Sequence, residues 1–395
     1  IRNYIVDARF GGRQGLAAAR AALAERGVGL IVDFVPNHVA PDHPWLVDHP
    51  EYFVRGTAED LVRDPASFLR VGDAVIARGR DPYFPPWADV AQLNAFSPGL
   101  RAAAEATLMD IAQQTDGVRC DMAMLMMNDV FARTWGERAG ARPEREYWTE
   151  IIKAVRAAHP DFIFAAEAYW DLEWDLVQLG FDYCYDKRLY DRLVHDEPEA
   201  IRGHLYADHD YQQHMLRFIE NHDEPRAAAE FDAAKERAAA VAIATLPGTT
   251  LWHEGQFEGW RVRLPVFLDR RPVEPSDAQL RGFHLHLIAE ASELRQGDWQ
   301  LCEATGWPDN SSCAQLLAWS WIADERRSLI VINYADQPAS AQVHPPWRDL
   351  GGRTWRLKDV LDGQVFERDG SDVAGNGLYV QLGPWQSHVL VWTPG

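Results

Sequence analysis

The sequence has 395 residues, a formal charge of −20, 47% hydrophobic and 25% charged residues. A chain of this size and polarity is expected to fold as one large soluble domain plus a small one, and its acidic balance argues against nucleic acid as a partner. No apolar run approaches the ~20 residues of a membrane span.

In chain order, 14–26 ("QGLAAARAALAER") has helical spacing and stops at Gly27, and "VGLIVDFV" follows as a continuous apolar run of strand length. Residues 39–99 then interrupt the pattern with eight prolines and several Asp and His residues. An Ala-rich helix is predicted over 101–114, followed by "GVRCDMAML". In that stretch Arg119 and Asp121, two residues apart, fall on one face of the predicted strand, while Cys120 faces away as a buried free thiol. Residues 144–159 form a third helix that ends at Pro160 and leads into "FIFAAEAYW". "MLRFIENHDEP" and "TTLWHEGQ" have the same build, with the helical "ERAAAVAIATL" between them.

Alternating helices and fully buried strands imply a parallel sheet with helices outside. Five such units in roughly 300 residues suggest an α/β (β/α)8 barrel more than a doubly wound sheet. No glycine-rich phosphate fingerprint follows any of the strands, which disfavours a dinucleotide-binding fold. The barrel is assigned to 1–38 and 100–300, with 39–99 as an insertion. From about 310 to 395 short β-type runs such as "SLIVINYA" and "SHVLVWT" predict an antiparallel β-domain, with no clear helix. Four cysteines are too few for a disulfide scaffold, although Cys302 and Cys313 could pair.

Barrel chemistry sits at the C-terminal ends of the strands. Asp33 and His38 come from "DFVPNH", Arg119 and Asp121 from "GVRCDMAML", Glu167 from "FAAEAYW", and His222 and Asp223 from "ENHDEP". A single polar residue at a strand end is an ordinary cap. Carboxylates from four strands in sequence order point instead to one acid–base site. Trp45, Trp87, Trp170 and Trp252 are candidate stacking platforms for a sugar ring, and Trp170, three residues past Glu167, is the best placed.

These four motifs, in this order, resemble those of the alpha-amylase family of glycoside hydrolases (family 13). The likeness covers residues 1 to about 300; "VAQLN" at 90–94 and "WHEGQFEG" at 252–259 look like further family segments. It implies a TIM barrel, a short domain B at 39–99 after the third barrel strand, and a C-terminal β-sandwich at 310–395. By this resemblance Asp121 is the nucleophile, Glu167 the general acid/base and Asp223 the transition-state stabiliser. Arg119 orients Asp121, Asp33 helps to hold Arg119, and His38 and His222 bond hydroxyls of the bound sugar. The implied reaction is retaining hydrolysis of α-glucosidic bonds in an oligosaccharide or α-glucoside. Transglycosylases and isomerases of the family share the motifs, including glucanotransferases and sucrose- or trehalose-active members. An inactive binding relative is disfavoured, because all three acids are present.

Two departures stand out. Many family members carry Lys-His where this chain has Met124-Leu125. Calcium is therefore not expected, and no other metal or cofactor is implied, although Asn37 matches a frequent calcium ligand. The opening "IRNYIVDARFGG" looks like the middle and end of the family's second strand. The first strand, and a tyrosine that stacks under the bound sugar, are then expected upstream of Ile1 in a longer protein, or the gap is filled by another chain. No compartment is legible; the cytoplasm is slightly favoured.

Overall fold

The computed structural model describes every residue except Val266, Phe267 and Asp269. The chain divides into two compact units, Ile1–Tyr185 and Asp186–Gly395. No helix among the described residues is long and apolar enough to cross a membrane.

The first unit is built on a parallel sheet of β1 (Ile31–Phe34), β2 (Gly117–Cys120), β3 (Ile163–Ala166) and β4 (Tyr183–Tyr185), in that order. Helix α1 (Gly12–Ala24) precedes β1, and α2 (Pro98–Gln114) and α3 (Tyr147–Ala158) lie in the next two connections. The start of α2 is set by two local signals: Ser97 accepts from the Leu100 amide, and Pro98, which has no N–H to lose, occupies the first turn. Leu100, Ala104, Leu108 and Ile111 bury one face of that helix at 3–4 residue spacing. The predicted helices and strands are therefore present, with shifted ends.

Three features differ from the sequence reading. β2 stops at Cys120, so Asp121 lies just outside the strand rather than within it; the chain turns there because Met122 takes a left-handed conformation, φ 43°. The residues Ile1–Val6 form no strand and touch the sheet through Tyr4, whose hydroxyl accepts from the Val35 amide and donates to the Val35 carbonyl. β4, only three residues long, carries no periodic signal and was not predicted.

Between β1 and α2, 39–99 holds an antiparallel hairpin, Phe68–Val71 with Ala74–Ala77. His38–Val39 pairs with Ala91–Gln92, which fixes where the chain leaves and re-enters the sheet.

The second unit contains a parallel pair, β5 (Met215–Arg217) and β6 (Thr249–Thr250), joined through α4 (Ala233–Thr245). Residues 238–245 of α4 are all buried, as befits a helix that is apolar all round. α5 (Ala278–Leu294) leads into an antiparallel region that starts at β7 (Asp298–Leu301) and continues through β8 (Glu303–Thr305), β9 (Leu316–Ala323), β10 (Arg326–Asn333), β11 (Ala339–His344), β12 (Thr354–Asp359), β13 (Val365–Asp369), β14 (Leu378–Leu382) and β15 (Ser387–Pro394). They form a six-stranded sheet, β7-β9-β10-β15-β12-β13, and a three-stranded sheet, β8-β11-β14, around a core that includes Leu329, Trp355, Val380 and Trp392. A short helix, Gly370–Asn376, interrupts this region. Its sequence, GSDVAGN, has poor helix formers and is held by its Asp369 cap. Cys302 and Cys313 are both free thiols, as are Cys120 and Cys184.

Candidate active site

The parallel register of the first unit brings the predicted residues together. Asp33 of β1 is the rung partner of Arg119 of β2, and Cys120 is the partner of Ala166. The next residues along, Asp121 and Glu167, therefore emerge side by side from the C-terminal edge of the sheet. Arg119 joins all three acids. Its Nη1 donates to Asp33 Oδ1 at 3.1 Å and to Asp121 Oδ1 at 3.0 Å, and its Nη2 to Glu167 Oε2 at 2.8 Å. Two carboxylates held on the two terminal nitrogens of one guanidinium have their bonded oxygens no more than roughly 8 Å apart, a limit that admits both the retaining and the inverting separation of glycosidase acids.

The environment separates the acids. The Glu167 side chain is only 4% exposed, whereas that of Asp121 is 22% and that of Asp33 64% exposed. Burial pushes the Glu167 carboxyl above its usual range, and the Asp121 charge adds to the shift; Arg119, the Tyr169 hydroxyl and the Met122 amide oppose it without cancelling it. Burial disfavours the Arg119 charge, yet Glu167, Tyr185, Asp121 and Asp33 outweigh it and hold the guanidinium above its ordinary value.

Two contributors were not singled out in the sequence as polar partners. The Tyr169 hydroxyl donates to Glu167 Oε1 at 2.7 Å, and the Met122 amide donates to Oε2 at 2.8 Å. Tyr169 reads in the sequence as an apolar neighbour, although its spacing of two from Glu167 puts a phenol within reach. The Met122 amide is available because of the left-handed turn. That turn is anchored beneath by the Ala123 amide, which donates to the Glu167 carbonyl, and by the buried Trp148 indole, which donates to the Ala123 carbonyl at 2.8 Å. Arg119 also lies 5.6 Å from the centre of the Tyr185 ring.

His38 is held near the Trp87 ring, 5.3 Å between centres, and burial pushes its imidazole down to about 4. It is therefore neutral near pH 7, suited to hydrogen bonding rather than to charge. Trp170 sits at φ 66° with Tyr83 edge-on at 4.9 Å. Positive φ at a Trp is strained backbone, a feature that concentrates at functional sites. Trp45 packs against Tyr52 and His43, and Trp252 against Phe257 and His284, which favours core packing for both. In the second unit His222 and Asp223 lie beyond the end of β5 and pair with each other at 3.0 Å.

No family model matches the chain. Alpha-amylase MalA of Haloarcula japonica is 23% identical over 329 residues, 81% of this chain and 44% of that protein. The chain spans about half the length or less of the curated relatives it matches. Among solved structures, the noncanonic maltogenic alpha-amylase AmyB from Thermotoga neapolitana superposes with a TM-score of 0.74 at 19% identity, covering 100% of this chain and 84% of that one. The alpha-amylase of Geobacillus thermoleovorans in complex with acarbose gives 0.70 at 17% identity, covering 99% and 83%. The fold is thus a TIM barrel with a C-terminal antiparallel β-domain.

The Arg119 geometry generates a prediction about stability. Arg119→Met leaves two poorly exposed carboxylates and Asp33 without their shared cation, which should cost roughly 3–5 kcal/mol at pH 7. Without the cation, which opposes the effect of burial, the raised pKa of Glu167 rises further in the folded state. The folded variant then binds more protons than the unfolded one, so the deficit should shrink as pH falls through the carboxylate range. Denaturant melts of both proteins between pH 4 and pH 8 test this; a loss below ~1 kcal/mol that does not change with pH contradicts it.

Proposed function

We propose that this chain, which belongs to the alpha-amylase family, cleaves α-glucosidic bonds of α-glucans or α-glucosides with retention of configuration. The observation that carries this reading is the shared guanidinium: one cation binds both Asp121 and Glu167, and only Glu167 is deeply buried, with its pKa raised. Two neighbouring carboxyls in such different surroundings are suited to opposite roles.

In the first step the Glu167 carboxyl protonates the glycosidic oxygen as the bond to the anomeric carbon breaks. An Asp121 oxygen attacks that carbon from the opposite face and forms a glycosyl ester. The Asp121 charge is consumed in the ester. Because that charge is one cause of the raised Glu167 pKa, its loss lowers the pKa just when Glu167 must act as a base. Glu167 then takes a proton from water, or from a sugar hydroxyl, as the oxygen attacks the anomeric carbon and Asp121 leaves. In this reading Asp223 stabilises the oxocarbenium-like charge, His38 and His222 bond sugar hydroxyls, and Trp170 offers a stacking face.

Two side chains that could serve the calcium site implied by the family are engaged elsewhere. Asn37 Oδ1 already accepts from Gln92 Nε2 at 2.8 Å, and Asp60 is held by Arg138 through two 2.8 Å bonds. Calcium requires six to eight oxygen ligands, and the bonds these two side chains already make would compete with it. Calcium-independence is thus part of the proposal.

Four experiments test this reading. Asp121→Asn, nearly isosteric, should abolish turnover of maltooligosaccharides while leaving the melting temperature within a few degrees; near-normal activity would remove Asp121 as nucleophile. Product analysis of the parent on maltooligosaccharides, sucrose and trehalose identifies whether water or another sugar is the preferred acceptor. Tyr169→Phe removes a bond that favours the ionised Glu167, so Glu167 should keep its proton to higher pH and the alkaline limb of kcat should move up; an unmoved or lowered limb contradicts the assigned acid. Finally, a chelator should change neither melting temperature nor rate, whereas a loss reversed by added calcium would show a site built from other ligands.

A further inference from the structure

We infer that the C-terminal β-domain carries a second carbohydrate site, remote in sequence from the catalytic motifs, at Trp307 and Tyr379. The choice of an α-glucan as its ligand rests on the proposed function. Both aromatics are large and solvent-exposed, Trp307 at 42% and Tyr379 at 48%. Their rings stand 6.2 Å apart, tilted by 33°. Exposed aromatic side chains are costly to leave in water, and two side by side form a continuous apolar platform for the C–H faces of sugar rings.

The surface around them fits a neutral, hydroxyl-rich polymer. In the β8-β11-β14 sheet Thr305, Gln342 and Tyr379 form one rung across all three strands. Alternate residues of β14 are buried, so Tyr379 and Gln381 face outward together, and the Tyr379 hydroxyl donates to Gln381 Oε1 at 3.2 Å. The neighbouring outward positions of β11 are Ser340, Gln342 and His344. Apart from Glu303 at the edge and Asp309 in the adjoining turn, the outward positions of these strands carry hydroxyls, amides and an imidazole. The companion sheet shows the ordinary solvated alternative: beside Thr354 and Val365, its outward positions on β12 and β13 are Arg356, Lys358, Glu367 and Asp369. In a chain with a charge of −20, a sparsely charged face with two exposed aromatics suits a ligand without charge.

The platform is also preorganised. Trp307 sits in a tight turn whose Asn310 amide donates to the Trp307 carbonyl at 2.7 Å. Asn310 Nδ2 donates to the Ser340 carbonyl at 2.8 Å, tying the turn to β11. Gly306 permits the turn, because a Cβ there would meet the Asn310 carbonyl oxygen at 2.1 Å. The tilt between the rings agrees with that choice of ligand. A β-1,4-glucan is a flat ribbon whose faces suit coplanar platforms, whereas an α-1,4-glucan curves and presents successive rings at an angle.

The test is native affinity electrophoresis of the full chain, its Trp307→Ala, Tyr379→Ala and Tyr379→Phe variants in gels holding amylopectin or hydroxyethyl cellulose, beside hydrolysis of a short maltooligosaccharide. The parent should be retarded by amylopectin and not by the cellulose ether. Each alanine variant should weaken retardation at least tenfold, Tyr379→Phe should keep it, and kcat/KM on the short substrate should stay within twofold. No retardation of the parent, equal retardation of parent and alanine variants, or retardation by the cellulose ether as well would overturn the inference. Retardation that depends on Trp307 in a protein without glucosidic activity would uphold this site and sink the catalytic proposal; activity without retardation would do the reverse.

Discussion

Three carboxylates gathered at one edge of a sheet repel one another, and burial of any of them adds to the cost. Arg119 is the interaction that makes the gathering tolerable. It is itself nearly buried, with 11% of its side chain exposed, so its Coulombic contacts are screened less than those of a surface pair. The sheet register supplies it with partners on both sides, Asp33 from β1 and Glu167 from the exit of β3, with Asp121 two residues ahead on its own strand. A slip of one residue in either pairing would move a carboxylate to the opposite face and leave the cation short of a partner. The electrostatics of the site therefore depend directly on the strand alignment.

The backbone contributes as much as the side chains. Met122 and Trp170 have positive φ at the exits of β2 and β3, where Asp121 and Glu167 are presented. The first turn aims an amide at Glu167, and the second places an indole beside Tyr83. Such conformations cost of order 1–3 kcal/mol each and persist only where packing over-determines them. The buried Trp148 bond to the Ala123 carbonyl is one of the contacts that does so at the first turn.

The strand-end motifs were legible because chemistry in a parallel sheet is confined to one edge, so a polar residue closing an apolar run carries positional meaning. That reading identified Asp33, Arg119, Asp121 and Glu167, which do meet. The family resemblance, not that reading, pairs Arg119 with Asp121 and Asp33; it leaves out Glu167, and a contact between exits of neighbouring strands depends on register, which a single sequence does not print. The strand reading extended β2 through Asp121, because Met122–Met127 is as apolar as a strand; the apolarity belongs instead to a buried 3-10 turn, Ala123–Met126. β4 escaped notice because three residues hold too little periodicity, and the helix at Gly370–Asn376 because a cap outweighs weak propensity over seven residues. Periodicity is a long-window signal, and these errors fall on short elements.

The choice of arginine at 119 follows from the same geometry. Three acceptors on three chain segments must be reached by one group from a fixed strand position. A lysine ammonium offers its donors from a single atom, whereas the guanidinium spreads its donors over a planar fork, which here allows Nη1 to serve Asp33 and Asp121 while Nη2 serves Glu167. Burial would also lower the pKa of a lysine, and its charge would then follow the protonation state of the acids around it. Arginine stays charged throughout, so the protons at this site can move on the carboxyls alone. In the proposed reaction Glu167 loses and regains its proton while Asp121 loses and regains its charge, and a cation that does not itself titrate holds the site together through both changes.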